Sequence, residues 1–232
     1  MSSLIEVRNE PKTADPGLLL LYGAKKAGKT TKLSELENCL IVDTENGANF
    51  ISGTIACINS LSEMRGLCNE LVKQSAKGNK YDYIAIDTLN KVVEWIEKSI
   101  VTEHNDANSA KIEYFGDLSF GKGHAMVRTK VDLIIETFMS LAPTVILVGH
   151  NKLASALTEN STLVDPASLD LTGKLKNMIM AKCDSIGFVF RDKEDDLKIS
   201  FQANNALEAG SRSPHLKGQV ISFDWSNIFV NK

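Results

Sequence analysis

Residues 23–30 read GAKKAGKT and follow directly on the apolar run LLLLY at 18–22. Glycine at the first and sixth positions, lysine at the seventh and a hydroxyl residue at the eighth leave such a segment few places in a fold. It has to join a buried strand to the start of a helix, because there the backbone N–H groups and the helix dipole converge on one anion. Gly23 and Gly28 let the backbone wrap a phosphate, Lys29 brings a point charge to the outer phosphates, and the Thr30 hydroxyl is suited to Mg²⁺. Nucleotide binding is therefore the first expectation. ATP and Mg²⁺ are the expected cofactors, with the phosphates held by Gly23, Ala24, Lys25, Lys26, Ala27, Gly28, Lys29, Thr30 and Thr31.

Beyond the loop, short apolar runs alternate with longer helix-compatible stretches, the pattern of an α/β fold with a mostly parallel sheet and helices on both faces. Strands are expected over 18–22, 40–43, 55–58, 83–87 and 144–149, each apolar without interruption, as strands buried on both faces are. Helices are expected over 30–37, 62–74, 89–102 and 122–141; in the last, Val127, Val131, Ile134, Ile135 and Phe138 keep helical spacing. After a short helix over 175–182, the runs 185–190, 197–202 and 220–225 read as antiparallel strands around an acidic turn at 192–196. The expected organisation is a flexible N-terminal segment over 1–16 and one domain over 17–232, with a core to about 184 and a C-terminal antiparallel β extension over 185–226.

Composition removes several classes. Hydrophobic residues make up 43% and charged residues 24%, and no apolar run nears the roughly 20 residues that span a bilayer, so no membrane partner is expected. The opening residues are polar, include Pro11 and Pro16, and lack the features of a secretory signal, so a cytoplasmic location is expected. Cys39, Cys57, Cys68 and Cys183 form no C-x-x-C pair, against a zinc site or a disulfide framework. A net charge of −3 gives no overall basic field, so any nucleic-acid contact has to come from local loops.

A phosphate loop needs a second acidic strand end for the metal and a carboxylate for water. The run YDYIAIDT at 81–88 ends in Asp87, an expected Mg²⁺ ligand at a strand's carboxyl end. Thr88 follows it, so a catalytic glutamate has to come from elsewhere. LIVDTENG at 40–47 supplies Glu45, with Asp43 the alternative; either also serves as a turn acid before Gly47. A third strand delivers His150, Asn151 and Lys152, where a polar side chain can read the terminal phosphate or simply lie in a solvated turn.

Together these strand ends resemble the RecA-like P-loop ATPase family, in particular its short phage and prophage members implicated in single-strand annealing and recombination. The resemblance rests on GAKKAGKTT (23–31), IVDTENG (41–47), IAIDT (84–88) and ILVGHNK (146–152) and covers about residues 17–225. It implies a catalytic role for Glu45, metal binding by Asp87 with Thr30, and a γ-phosphate-sensing role for His150, where recombinases carry glutamine. It also implies a chain without the extra terminal domains of larger recombinases. ATP sites at subunit interfaces of a homo-oligomer are implied too, with a basic residue from the segment EAGSRSPHLK (208–217) entering a neighbour's site: Arg212, or Lys217. Single-stranded DNA is the implied partner, met by the segments 103–122 and 151–174. There Tyr114, Phe115 and Phe120 are candidates for base stacking, and Lys111, Lys122, Lys152 and Lys174 for phosphate contact. Glu103, Asp106, Glu113, Asp117, Glu159, Asp165 and Asp170 offset that charge.

Two rivals share the loop. A small-molecule kinase usually gathers arginines around the transferred phosphate, but Arg8, Arg65, Arg128, Arg191 and Arg212 are scattered. A non-catalytic nucleotide switch would bind ATP without turnover.

Overall fold

The computed structural model describes residues 14–78, 80–152, 167–204 and 207–231. Its scaffold is a sheet whose parallel core is β1 (Leu18–Gly23), β2 (Cys39–Asp43), β3 (Thr54–Cys57), β4 (Tyr83–Asp87) and β5 (Thr144–Lys152). Further along come β6 (Ser168–Leu169), β7 (Ser185–Arg191), β8 (Leu197–Ser200), β9 (Gly210–Ser211) and β10 (Val220–Ser222). The order across the sheet is β10-β8-β7-β1-β5-β4-β2-β3, with β6 on β5 and β9 on β7. The expected fold class is observed: a mostly parallel sheet, helices on both faces and antiparallel C-terminal strands. The first strand after residue 184, β7, pairs with β1 in parallel, and the antiparallel pairs are β7 with β8 and β9, β8 with β10, and β5 with β6.

The helices are α1 (Lys29–Leu33), α2 (Leu61–Ala76), α3 (Leu89–Ala107), α4 (Lys122–Met139) and α5 (Gly173–Lys182). They divide unequally. Helices α2 to α5 cover one face, burying Met64, Leu71, Val92, Ile96, Val131, Ile135 and Ile179 against Leu18, Leu20, Ile84, Ile86, Val145 and Leu147. Among the described residues the other face carries only α1 of the α-helices, and its remaining area is closed by Phe223, Trp225, Ile228 and Phe229 near the C-terminal end of the described residues. Alternate residues of the same strands serve the two faces, which is why these strands read as unbroken apolar runs.

Three expectations needed correction. Helix α1 is shorter than 30–37, because the Ser34 hydroxyl bonds back to Thr31 O and residues 35 and 36 tighten onto Lys32 O and Leu33 O. Helix α3 runs beyond the expected 89–102: it continues to Ala107, where the Asn108 and Lys111 side chains take the free carbonyls of His104 and Asn105. Strand β5 runs past Gly149 to Lys152, where Asn151 and Lys152 pair with Leu169 and Ser168 of β6. Most of 151–171, Glu159 and Asp165 included, lies outside the described residues, as do residues 1–13 of the N-terminal segment.

Candidate nucleotide site

Register brings the expected site residues together. In parallel pairing Gly23 stands beside His150, Asp43 beside Asp87, and Asp87 beside Val148. β5 lies between β1 and β4, so the phosphate loop and Asp87 share one edge of the sheet, the carboxyl edge where ligands collect in such folds.

The loop itself is built from two glycines with different duties. Gly23 packs so closely on β7 that a Cβ would lie 2.3 Å from Val189 O. Gly28 caps α1 with φ of 108°, a left-handed backbone that favours glycine. Between them Ala24, Lys25 and Lys26 are exposed, Ala27 is half-buried with its N–H on Ala24 O, and after them Thr31 is exposed in the first turn of α1. Lys29 is buried, and its ammonium donates to Gly23 O at 2.9 Å and Ala24 O at 2.8 Å. Burial pushes its pKa down, and Asp87 and Glu45 pull the other way. An ammonium held only by neutral carbonyls inside a loop of N–H groups is primed for an anion.

Beside it the Thr30 hydroxyl donates to Asp87 Oδ2 at 2.5 Å. Burial holds the Asp87 carboxyl above the ordinary carboxylate range, partly opposed by the Thr30 hydrogen bond and by Lys29. A hydroxyl and one buried carboxylate are hard oxygen donors adjacent to a phosphate loop. That donor set fits Mg²⁺, which keeps waters and phosphate oxygens as its other ligands.

The turn after β2 separates its two acids. Asp43 is buried, with Oδ1 accepting from Glu45 N and Gly47 N and Oδ2 from Ala48 N. Its carboxylate is committed to shaping the turn, whereas Glu45 projects into the cleft. Glu45 Oε1 accepts from the Thr88 hydroxyl at 2.9 Å and lies 3.1 Å from His150 Nε2. His150 Nδ1 is buried without a hydrogen-bond partner among the described residues, and a proton on Nε2 is what lets the ring donate to Glu45. The His150 backbone N–H is anchored on Asn90 Oδ1, and the Asn90 amide donates to Asp170 O. Lys25, Lys26, Gly28, Lys29, Thr30, Thr31, Glu45, Gly47, Phe50, Asp87, Thr88 and His150 line one cleft of about 560 Å³.

Phe50, Thr88 and Asn90 were not singled out by sequence reasoning. Phe50 is fully exposed at the cleft, and an aromatic just past the acidic turn was its only signal. Arg212 is absent from this cleft. Its guanidinium donates to Ala181 O and meets Asp184, whose carboxylate accepts from Gly17 N and Leu18 N at the opposite edge of the sheet. That is a strand's length, roughly 17 Å, from Gly23. Lys217 is exposed in the turn before β10, beside that same edge.

A second hollow of about 410 Å³ lies at the N-terminal ends of α4 and α5, lined by Phe120, His124, Arg128, Lys174 and Glu97 among others. Phe120 is fully exposed and Tyr114 is 52% exposed. Phe115 is a correction to the stacking set: it is 3% exposed, packed against Tyr114 and His124, and belongs to the core. Lys111 is likewise tied to the end of α3.

The family described as "AAA domain" matches residues 17–213, and the chain belongs to that family. No curated protein matches the chain. Among solved structures, one described as the crystal structure of the RadB recombinase is 15% identical, covering 92% of this chain and 90% of that one with a TM-score of 0.49.

Proposed function

We propose that this member of the AAA domain family binds ATP with Mg²⁺ and hydrolyses it on single-stranded DNA, in recombination or strand annealing of the phage type. The observation that carries the ATPase reading is the convergence of Lys29, the Thr30–Asp87 pair and Glu45 in one cleft. In this reading the loop 23–31 wraps the phosphates, Lys29 leaves the loop carbonyls for the outer phosphates, and Phe50 offers a ring for the base to lie against. Thr30 and Asp87 hold Mg²⁺, which when bound neutralises charge on the phosphate oxygens. Glu45 orients the attacking water, and His150, touching both Glu45 and the cleft, reports the terminal phosphate. Among the described residues no arginine lines the cleft itself, and the nearest guanidinium, that of Arg191 beside Gly28, is held by Asp195 O; this disfavours a kinase, and a cation from a neighbouring copy would complete the site. Arg212 remains the proposed donor, with Lys217 second. For either, the site is completed in a homo-oligomer, working in a bacterial cytoplasm.

The DNA half rests on the hollow beside α4 and α5. Phe120 offers a face for stacking, and Arg128 and Lys174 offer charge for phosphates against the single carboxylate of Glu97. Phosphate release measured with and without single-stranded DNA tests it. The expected result is stimulation by DNA that Phe120→Ala together with Lys174→Ala abolishes while basal turnover persists; turnover indifferent to DNA contradicts it.

A further inference from the structure

We propose that Thr88 is a positioning residue for Glu45, and that the turn following β4 thereby sets the aim of the catalytic carboxylate as well as presenting the metal ligand. The inference rests on the reading of Glu45 as the water-orienting group. Thr88 sits where many P-loop ATPases carry their catalytic glutamate, directly after the metal-binding aspartate, and it does not replace that group. It restrains one that arrives from another strand.

The geometry is specific. The Thr88 side chain is 3% exposed and donates its hydroxyl hydrogen to Glu45 Oε1 at 2.9 Å. Its own backbone is locked by Thr44: Thr88 N donates to Thr44 Oγ1 at 2.8 Å, and the Thr44 hydroxyl donates to Thr88 O at 3.0 Å. Thr44 N in turn bonds Asp87 O at 2.8 Å, so the turns after β2 and β4 form one hydrogen-bonded unit. Glu45 is the exposed member of this unit, with a side chain 39% accessible and long enough to sample several rotamers. Two groups converge on the same oxygen, the Thr88 hydroxyl and, when its proton is on Nε2, the His150 ring, and together they hold Glu45 Oε1 in place. Oε2 makes no hydrogen bond among the described residues, and it is the oxygen left to take a water. Without the Thr88 hydroxyl only His150 restrains Glu45. His150 is itself held, beside Gly23 in the sheet with its N–H on Asn90 Oδ1, so the two donors reach Glu45 from separate fixed strand ends, Thr88 from β4 and His150 from β5.

The test is a double-mutant cycle read by steady-state phosphate release and by equilibrium ADP binding. Thr88→Val keeps the shape of the side chain and removes only the hydroxyl. The expected result is a fall in kcat of about 10- to 100-fold with KM and ADP affinity within about twofold, because misaimed groups cost turnover more than binding. Thr88→Ser restores turnover to within about threefold. In a Glu45→Gln background Thr88→Val produces no further loss, since it acts through Glu45. Three results overturn the inference: an undiminished kcat in Thr88→Val while Glu45→Gln is impaired; a further full loss in the double variant; or a drop in ADP affinity that matches the drop in kcat. Wild-type protein without turnover, or Glu45→Gln with normal turnover, instead overturns the reading of Glu45 on which this one stands.

Discussion

Lys29 is buried on two loop carbonyls, and the nucleotide has to draw its ammonium away from them. Replacing it with alanine removes a charge-assisted contact of about 1.5–3 kcal/mol, so nucleotide affinity falls roughly 10- to 100-fold in titration calorimetry while the fold persists. Gly23→Ala acts on the fold instead: its Cβ would run into Val189 O, a backbone atom of the sheet, at a cost of about 1–3 kcal/mol visible as a lower urea midpoint. Asp87 adds a pH signature. Burial raises its pKa above the ordinary value of 3.8, so above 3.8 the folded chain keeps a proton the unfolded chain has shed. Its contribution to stability is then complete below 3.8 and is lost as pH rises through the raised value, whereas Mg²⁺ needs the carboxylate. The extra thermal shift that Mg²⁺ gives a bound nucleotide therefore grows more steeply with rising pH in the unaltered protein than in Asp87→Asn. The same pH response in both proteins contradicts this. At this scale the sequence was legible where spacing encodes chemistry, as in the loop. It was illegible where two acids stand in one turn, since only hydrogen bonds separate Asp43, which shapes that turn, from Glu45, which faces the cleft.

Among the elements, α1 depends most on distant parts of the chain. Five residues long, it is too short to hold itself in water. Trp225 Nε1 donates to Lys32 O at 2.6 Å, and the Trp225 ring stacks on Phe229, which in turn meets Tyr83 of β4. Trp225→Ala should cost about 3–5 kcal/mol, and Trp225→Phe, which keeps a ring but loses the indole donor, about 1 kcal/mol. Nucleotide affinity should fall with stability in the alanine variant, because the helix that presents Lys29 and Thr30 loses its support; unchanged affinity would show that the loop stands alone. The strands were readable as doubly buried apolar runs. The C-terminal residues were not readable as the cover of a sheet face, because an irregular aromatic segment has no periodicity to reveal what it packs against. The extension of α3 to Ala107 escaped for a related reason: side chains of Asn108 and Lys111, rather than apolar spacing, carry the helix end.

Across the whole molecule, the sheet order explains why scattered motifs make one site. Inserting β5 between β1 and β4 sets Gly23 and His150 side by side and leaves Asp87 across a single strand, at the same edge as the turn bearing Glu45. The basic segment around Arg212 lies at the opposite edge, so its proposed role belongs to an assembly and not to one copy. No helix among the described residues is long and apolar enough to cross a membrane. The central claim is that this edge hydrolyses ATP with Glu45 directing the water. Its most direct test is Mg²⁺-dependent phosphate release by the wild-type chain and by Glu45→Gln, both at saturating ATP with bound nucleotide measured in parallel. The account predicts turnover in the wild type and a loss of about 100-fold or more in Glu45→Gln at equal nucleotide occupancy. Equal phosphate release by the two proteins would contradict it.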